Sequence, residues 1–297
     1  DCIGELVGAP HLGLRYMFQM MNEARVSVGM GATALGQAGY QASLAYARER
    51  PQGRSPTAKD PASPQVPLTD HADIRRLLLA QKAAVEPALA LALYCAGLVD
   101  RHRAGDDGAL VLLDVLTPVA KSWPSEFCLE ANKHAIQVLG GAGYTREWPV
   151  EALLRDARII TIYEGTTGMQ AQDFLHRRLV RDEGAGLHAF LARAACDLDA
   201  CPDAGAVGRA RGVIDRFVAL SRDIETRKDD AAVIDRAADG YLRAGWVAVQ
   251  AWMCCRLLRI GSAVAAPARH RLHMLDAEMA VAEASMSAPI TAGSHPA

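Results

Sequence analysis

From Tyr16 to Arg50 the apolar side chains recur at helical spacing, Met17, Met20 and Met21, then Val26, Val28 and Met30. Small residues crowd one side of the same stretch: Gly29, Gly31, Ala32, Ala34, Gly36, Ala38 and Gly39. A helix so rich in glycine has poor intrinsic propensity, so it must be a long helix packed closely against its neighbours. That requirement points to a bundle.

The rest of the chain extends the pattern. Five prolines between Pro51 and Pro67 end the first helix and predict an exposed loop. A second helix is expected from about His71 to His102, with Asp70 as its N-cap. A third starts near Ala109, bends near Pro118 or Pro124, and ends at the glycines of QVLGGAGY. Short helices follow near Val150 to Arg155 and from about Gly168 to Val180. Beyond RDEGAG come Ala-rich helices near Leu187 to Leu198, Ala206 to Ala231, Ala232 to Ile260 and His270 to Ser285. The chain therefore reads as all-α, a helical bundle over 16–183 and a second helical module over 184–287, with a boundary near Glu183. Residues 1–15, which include CIGELVG, are its one β-like stretch, and the tail 288–297 is expected to be disordered.

Composition narrows the function. A net charge of -2 with 51% hydrophobic residues describes a soluble globular protein and argues against a nucleic-acid surface, which needs a concentrated basic excess. The pairs Arg75 and Arg76, and Arg177 and Arg178, have acidic neighbours and read as solvated helix faces. Seven cysteines without CxxC spacing read as free, mostly buried thiols, with no metal site; they suit a reducing, cytoplasmic compartment. The chain begins at Asp1 without a signal segment, and its apolar run from Ala83 to Val99, interrupted by Glu86 and Pro87, is expected to fall short of a membrane span.

Two motifs carry chemistry. In QVLGGAGY, Gln137 to Tyr144, adjacent glycines could let backbone N–H groups approach an anion, or could simply end a helix. In IITIYEGTTGMQ, Glu164 follows Ile159, Ile160, Ile162 and Tyr163, an apolar wall whose desolvation would raise a carboxyl pKa toward the range of a general base. Gly165, Thr166 and Thr167 place donors beside it, the arrangement needed to remove a proton α to a carbonyl and stabilise the charge that develops. The alternative is an acid that only caps a helix dipole.

The ordered series NEARVSVG, YARERPQGR, DHADIRRLL, QVLGGAGYTREWPVEALLRDARI and IYEGTTGMQ resembles the C-terminal half of an acyl-CoA dehydrogenase over residues 1 to about 180. Residues 185 to about 287 resemble the additional helical domain of that family's longer bacterial branch, and Gly168 supports the placement. The resemblance implies Glu164 as the base that removes the α proton of an acyl-CoA thioester while hydride passes to the flavin of FAD. It implies substrate contacts at Asn22, Arg25 and Gly165, with Asn22 standing where the family usually has Asp. Cofactor contacts are implied at Arg50, Gln52, His71, Gln137, Gly140 and Gly141, toward the FAD of a neighbouring subunit, and at Thr166 and Thr167 toward the chain's own. A homo-oligomer and an electron-transfer flavoprotein as acceptor are implied with them. An acyl-CoA oxidase, a non-catalytic oligomerisation module and a DNA-binding relative are the alternatives. The family's N-terminal and most of its middle β domain have no counterpart here, so the chain reads as a fragment or truncated product whose stand-alone activity is in question. An apolar face at Met17, Met20, Met21 and Tyr163 would then lie uncovered.

Overall fold

The structure, a computed structural model, describes residues 1–55, 57 and 60–287, the side chains of Phe18 and Gln19 excepted. The tail expected to be disordered lies outside the described residues. Four helices make the first bundle: α1 (Gly13–Glu49), α2 (Ala72–Arg103), α3 (Asp107–Leu139) and α4 (Val150–Ile160). A short α5 (Thr167–Gln172) runs straight into a π-helical stretch, Asp173–Arg181. Then follow α6 (Ala185–Asp199), α7 (Ala204–Thr226), α8 (Ala231–Leu258) and α9 (Ser262–Ser287).

The small residues of α1 do what their crowding predicts. A Cβ built on Gly29 would collide with the Ala120 carbonyl oxygen of α3, one on Gly36 would lie 2.9 Å from Cys128 Cβ, and one on Gly39 would collide with Asn132. These pairings advance together, so α1 and α3 run parallel with their backbones in close approach. Pro124 explains the tightest point: it has no N–H to donate to the carbonyl four residues back, which is that of Ala120, and α1 lays Gly29 against the freed oxygen. The α3 helix continues through both Pro118 and Pro124. Across the bundle α2 runs antiparallel to α1, tied by Ser43 Oγ donating to Gln81 Oε1 at 3.1 Å.

Three expectations are corrected. Residues 1–12 form no strand; they are irregular and exposed, since a lone extended segment has no partner for its backbone groups. Asp70 does not cap α2: it ends a 3₁₀ turn, Leu68–Asp70, which puts His71 at the cap position without a side-chain hydrogen bond. The α2 helix is, by length and composition, apolar enough to cross a membrane, although half of its most apolar window is buried in the bundle and buried Gln81 bonds back to its own helix.

One buried cluster runs from Val26 of α1 through α2, α3 and α6 to Ala282 of α9, so a single core spans both sides of Glu183. Its centre is α8, nearly all of whose residues from Gly240 to Leu258 are buried. A polar link crosses the same joint, Trp246 Nε1 donating to Ser122 Oγ at 2.8 Å. Within the second half of the chain, Trp252 Nε1 donates to Asp197 Oδ2 at 2.8 Å. Asp197, buried, also receives Arg193, Arg256 and Arg259; burial pushes its carboxyl up, but the bonds from Trp252, Arg193 and Arg256 outweigh that and hold it below the usual range.

The two faces of α1 can be told apart experimentally. Gly29→Ala should destabilise the protein by roughly 1–3 kcal/mol through overpacking against α3. Gly31→Ala, where a Cβ meets nothing within 4 Å, should be neutral or stabilising by up to about 1 kcal/mol. Urea denaturation of both variants gives the comparison; equal effects would refute the close-approach account.

Candidate functional site

The chain between α4 and α5 turns sharply, and Glu164 occupies the turn with φ +56, a left-handed conformation unusual for a residue with a Cβ. Gly165 follows at φ +91, where only glycine is relaxed. The Thr166 side chain caps α5 by accepting from Met169 N at 3.3 Å, and Thr167 Oγ1 donates to Glu126 Oε1 of α3 at 2.6 Å. Buried Gln170 supports the turn from beneath, its Nε2 donating to the Glu164 carbonyl at 3.2 Å and the Gly165 carbonyl at 3.4 Å. A Cβ on Gly165 would stand 2.9 Å from that same nitrogen.

Beside the turn opens a cavity of about 290 Å³ lined by Met21, Arg25, Gly165, Met169, Asp173 and His176 among others. Two expected substrate contacts, Arg25 and Gly165, are thus brought together. Arg25 is buried, with its Nη1 donating to Asp173 Oδ2 at 2.9 Å. Asn22 is not in the lining; its Nδ2 donates to Asp114 Oδ1 at 3.4 Å instead. The apolar wall ahead of Glu164 is open rather than closed: Ile159, Ile162 and Tyr163 are 53%, 45% and 43% exposed, and only Ile160 is buried. Glu164 itself is half-buried. Of the apolar face expected at Met17, Met20, Met21 and Tyr163, all but Met21 are exposed, and Met21 is half-buried; Met169 is exposed as well.

The remaining expected contacts gather at the far end of the bundle, where the ends of α1 and α3 meet the start of α2 around Ala47, Leu77, Val138 and Leu139. Arg50, Gln52, Gln137, Gly140 and Gly141 are exposed there. His71 and Gln52 come into contact, the ring Nε2 lying 2.7 Å from the Gln52 carbonyl oxygen. Gly140 has φ +60, and a Cβ on Gly140 or Gly141 would meet nothing within 4 Å. Arg25 and Arg50 lie at opposite ends of most of α1, about 37 Å apart at 1.5 Å per residue. The expected residues thus fall into two groups that lie apart in space.

Several residues of the first site escaped the sequence reading. Asp173, Gln170, Glu126 and fully buried Lys121, whose Nζ donates to the Ile160 carbonyl at 2.8 Å, were not singled out. Lys121 left a signal: one charge between two prolines in the apolar run LTPVAKSWP.

With this geometry in place, the match to known proteins is specific. The C-terminal domain of acyl-CoA dehydrogenase matches residues 11–179, more than half of the chain, and the chain belongs to the acyl-CoA dehydrogenase family. It is 41% identical over 191 residues to the broad-specificity linear acyl-CoA dehydrogenase FadE5 of Mycobacterium tuberculosis, a match covering 62% of this chain and 31% of that protein. It is 39% identical over 194 residues to 3-methylmercaptopropionyl-CoA dehydrogenase of Ruegeria pomeroyi, covering 64% and 33%. The chain thus spans about a third of the length of the curated relatives it matches. An acyl-CoA dehydrogenase from Bacillus anthracis, solved as a complex with FAD, shares the fold over 93% of this chain and 50% of that one, with a TM-score of 0.71 at 16% identity. That likeness extends through the second helical module.

The strained turn gives a stability test. Glu164→Gly should lose no stability and gain up to about 1 kcal/mol, because glycine relieves the left-handed backbone against its own entropic penalty. Glu164→Ala, which keeps the strain, should show no such gain. Thermal unfolding of the two variants distinguishes them, and a less stable Glu164→Gly would show that the turn is not strained.

Proposed function

We propose that this chain supplies the catalytic base and part of the substrate site of an FAD-dependent acyl-CoA dehydrogenase. Glu164 removes the α proton of an acyl-CoA thioester, and the β hydrogen leaves with its electron pair as hydride, forming the α,β double bond. The observation that carries this reading is the placement of Glu164: a half-buried carboxylate on a left-handed turn, adjoining a cavity that Gly165 and Arg25 line. Such strain is retained where the surrounding structure over-determines it, as Gln170 and Thr167 do here. The backbone N–H of Glu164 is the expected donor to the thioester carbonyl, which makes the α proton more acidic.

The residues at the far end fit an FAD. Arg50 is exposed and has no acidic partner among the described residues, the space over Gly140 and Gly141 is open although the Gly140 N–H is given to the Gln137 carbonyl, and the loop beside them is braced by His71 on Gln52. A guanidinium beside glycines that admit close approach suits a phosphate. FAD, when bound, supplies the hydride acceptor. A separation of about 37 Å between Arg25 and Arg50 supports a homo-oligomer, with the far-end residues serving a neighbouring subunit's cofactor. The Thr166 and Thr167 hydroxyls, already bonded within the chain, hold the turn beside the chain's own cofactor. An electron-transfer flavoprotein is the proposed acceptor, and the seven free thiols suit a reducing cytoplasm.

Two measurements test the reading. In the FAD-loaded enzyme Glu164→Gln keeps the shape of the side chain but cannot take the proton, so turnover should fall by roughly a thousandfold with FAD retained; near-normal turnover would remove Glu164 from the mechanism. Gly141→Val should fold normally, since its side chain meets open space, yet release flavin on gel filtration. Stoichiometric FAD in that variant would overturn the far-end assignment.

A further inference from the structure

The turn bearing Glu164 is gripped on both sides by one helix. On the entry side, Lys121 Nζ of α3 donates at 2.8 Å to the carbonyl of Ile160, the last residue of α4. On the exit side, Glu126 Oε1, also on α3, accepts at 2.6 Å from Oγ1 of Thr167, the first residue of α5. Between these anchors lie six residues, with Glu164 in its left-handed conformation. The same piece of α3 carries Pro118 and Pro124 and is pinned to α1 at Gly29, so the anchors sit on backbone that cannot easily yield.

An ammonium buried to 0% exposure with a carbonyl acceptor is costly, and an apolar side chain of similar length would fill the space without that penalty. Burial pulls Lys121 down to about 8; the charges that face it are Glu126 on α3 and Glu164 in the turn, which oppose the fall, and Arg25 on α1, which adds to it. The charge is therefore held where it can act on the turn, although not cheaply. Resting on the role proposed for Glu164, we propose that Lys121 and Glu126 are positioning residues, a two-point clamp that fixes the backbone of the 160–167 turn and so aims the Glu164 carboxylate at the substrate's α carbon.

The test combines a backbone readout with kinetics in the holoenzyme. Amide exchange at Ile162 and Tyr163, which both donate to the Ile159 carbonyl, should quicken about tenfold in Lys121→Met and in Glu126→Ala while the buried amides of α8 are unchanged. Turnover should fall about 10- to 100-fold with KM within about twofold, the signature of a misplaced base. Glu126→Gln, which keeps an acceptor for Thr167, should restore both readouts. If Lys121→Met does not fold, Thr167→Val at a half-buried position decides the same question. Unchanged exchange at Ile162 and Tyr163 in a folded variant would overturn the clamp. A fully active Glu164→Gln would instead overturn the role of the base, and the exchange result would still stand for the turn.

Discussion

The contact on which the bundle depends is the approach of Gly29 to the Ala120 carbonyl. It needs two sequence features in different helices: a residue without Cβ in α1, and a proline four positions after the carbonyl in α3 that leaves the oxygen without its helical donor. Their meeting brings the α1 and α3 backbones together over the following turns at Gly36 and Gly39. Everything that α3 later presents, Lys121 and Glu126 toward the turn and Ser122 toward Trp246, is placed by that contact. A one-residue slip between the two helices would carry all of these groups away from their partners.

Polar groups inside this core follow a consistent pattern: short hydroxyls bond back to their own helix, and longer charges reach across. Thr117, Ser122 and Ser125 of α3 donate to the carbonyls of Leu113, Pro118 and Lys121. This local back-bonding satisfies the hydroxyls within a proline-interrupted helix. Arg25 and Asp173, both buried, join residues 148 apart in sequence. Breaking one partner of such a pair leaves an uncompensated buried charge, so the pair fixes one arrangement of α1 against the π-helical stretch more than it adds net stability.

Most of the fold was legible because helical periodicity is local. The glycine-rich face of α1, the proline loop after Glu49 and the alanine-rich helices of the second half are patterns readable within a few turns. The cap at His71 rather than Asp70 was not, since it depends on a 3₁₀ turn that the bridge between Pro51 and Pro67 helps to set. Within the site, Gly165 stood out because glycine suits its left-handed backbone, and Glu164 because of its chemistry. Asp173 and Lys121 did not, because their significance comes from partners at Arg25 and Ile160 that no local window contains. The open wall at Ile162 and Tyr163 was misread for a related reason: apolar sequence reports a preference for burial, while the burial itself depends on what lies opposite.

The second helical module also has a mechanical bearing on the first. Consecutive residues of the π-helical stretch face opposite ways, Asp173 toward Arg25 of α1 and Phe174 into the second module. Phe174 stacks 6.3 Å from Phe217 of α7 and lies 5.3 Å from Tyr241 of α8, and Gly245 of α8 is small enough to admit it, since a Cβ there would come within 2.6 Å of its ring. A π-helix has weaker intrinsic preference than an α-helix and holds its extra residue per turn only where packing enforces it. The aromatic seat in the second module provides that packing on one side and the Arg25 pair on the other. The rotation that presents Asp173 to Arg25 is thus fixed from both sides of Glu183 at once, next to the cavity beside Glu164 that both residues line.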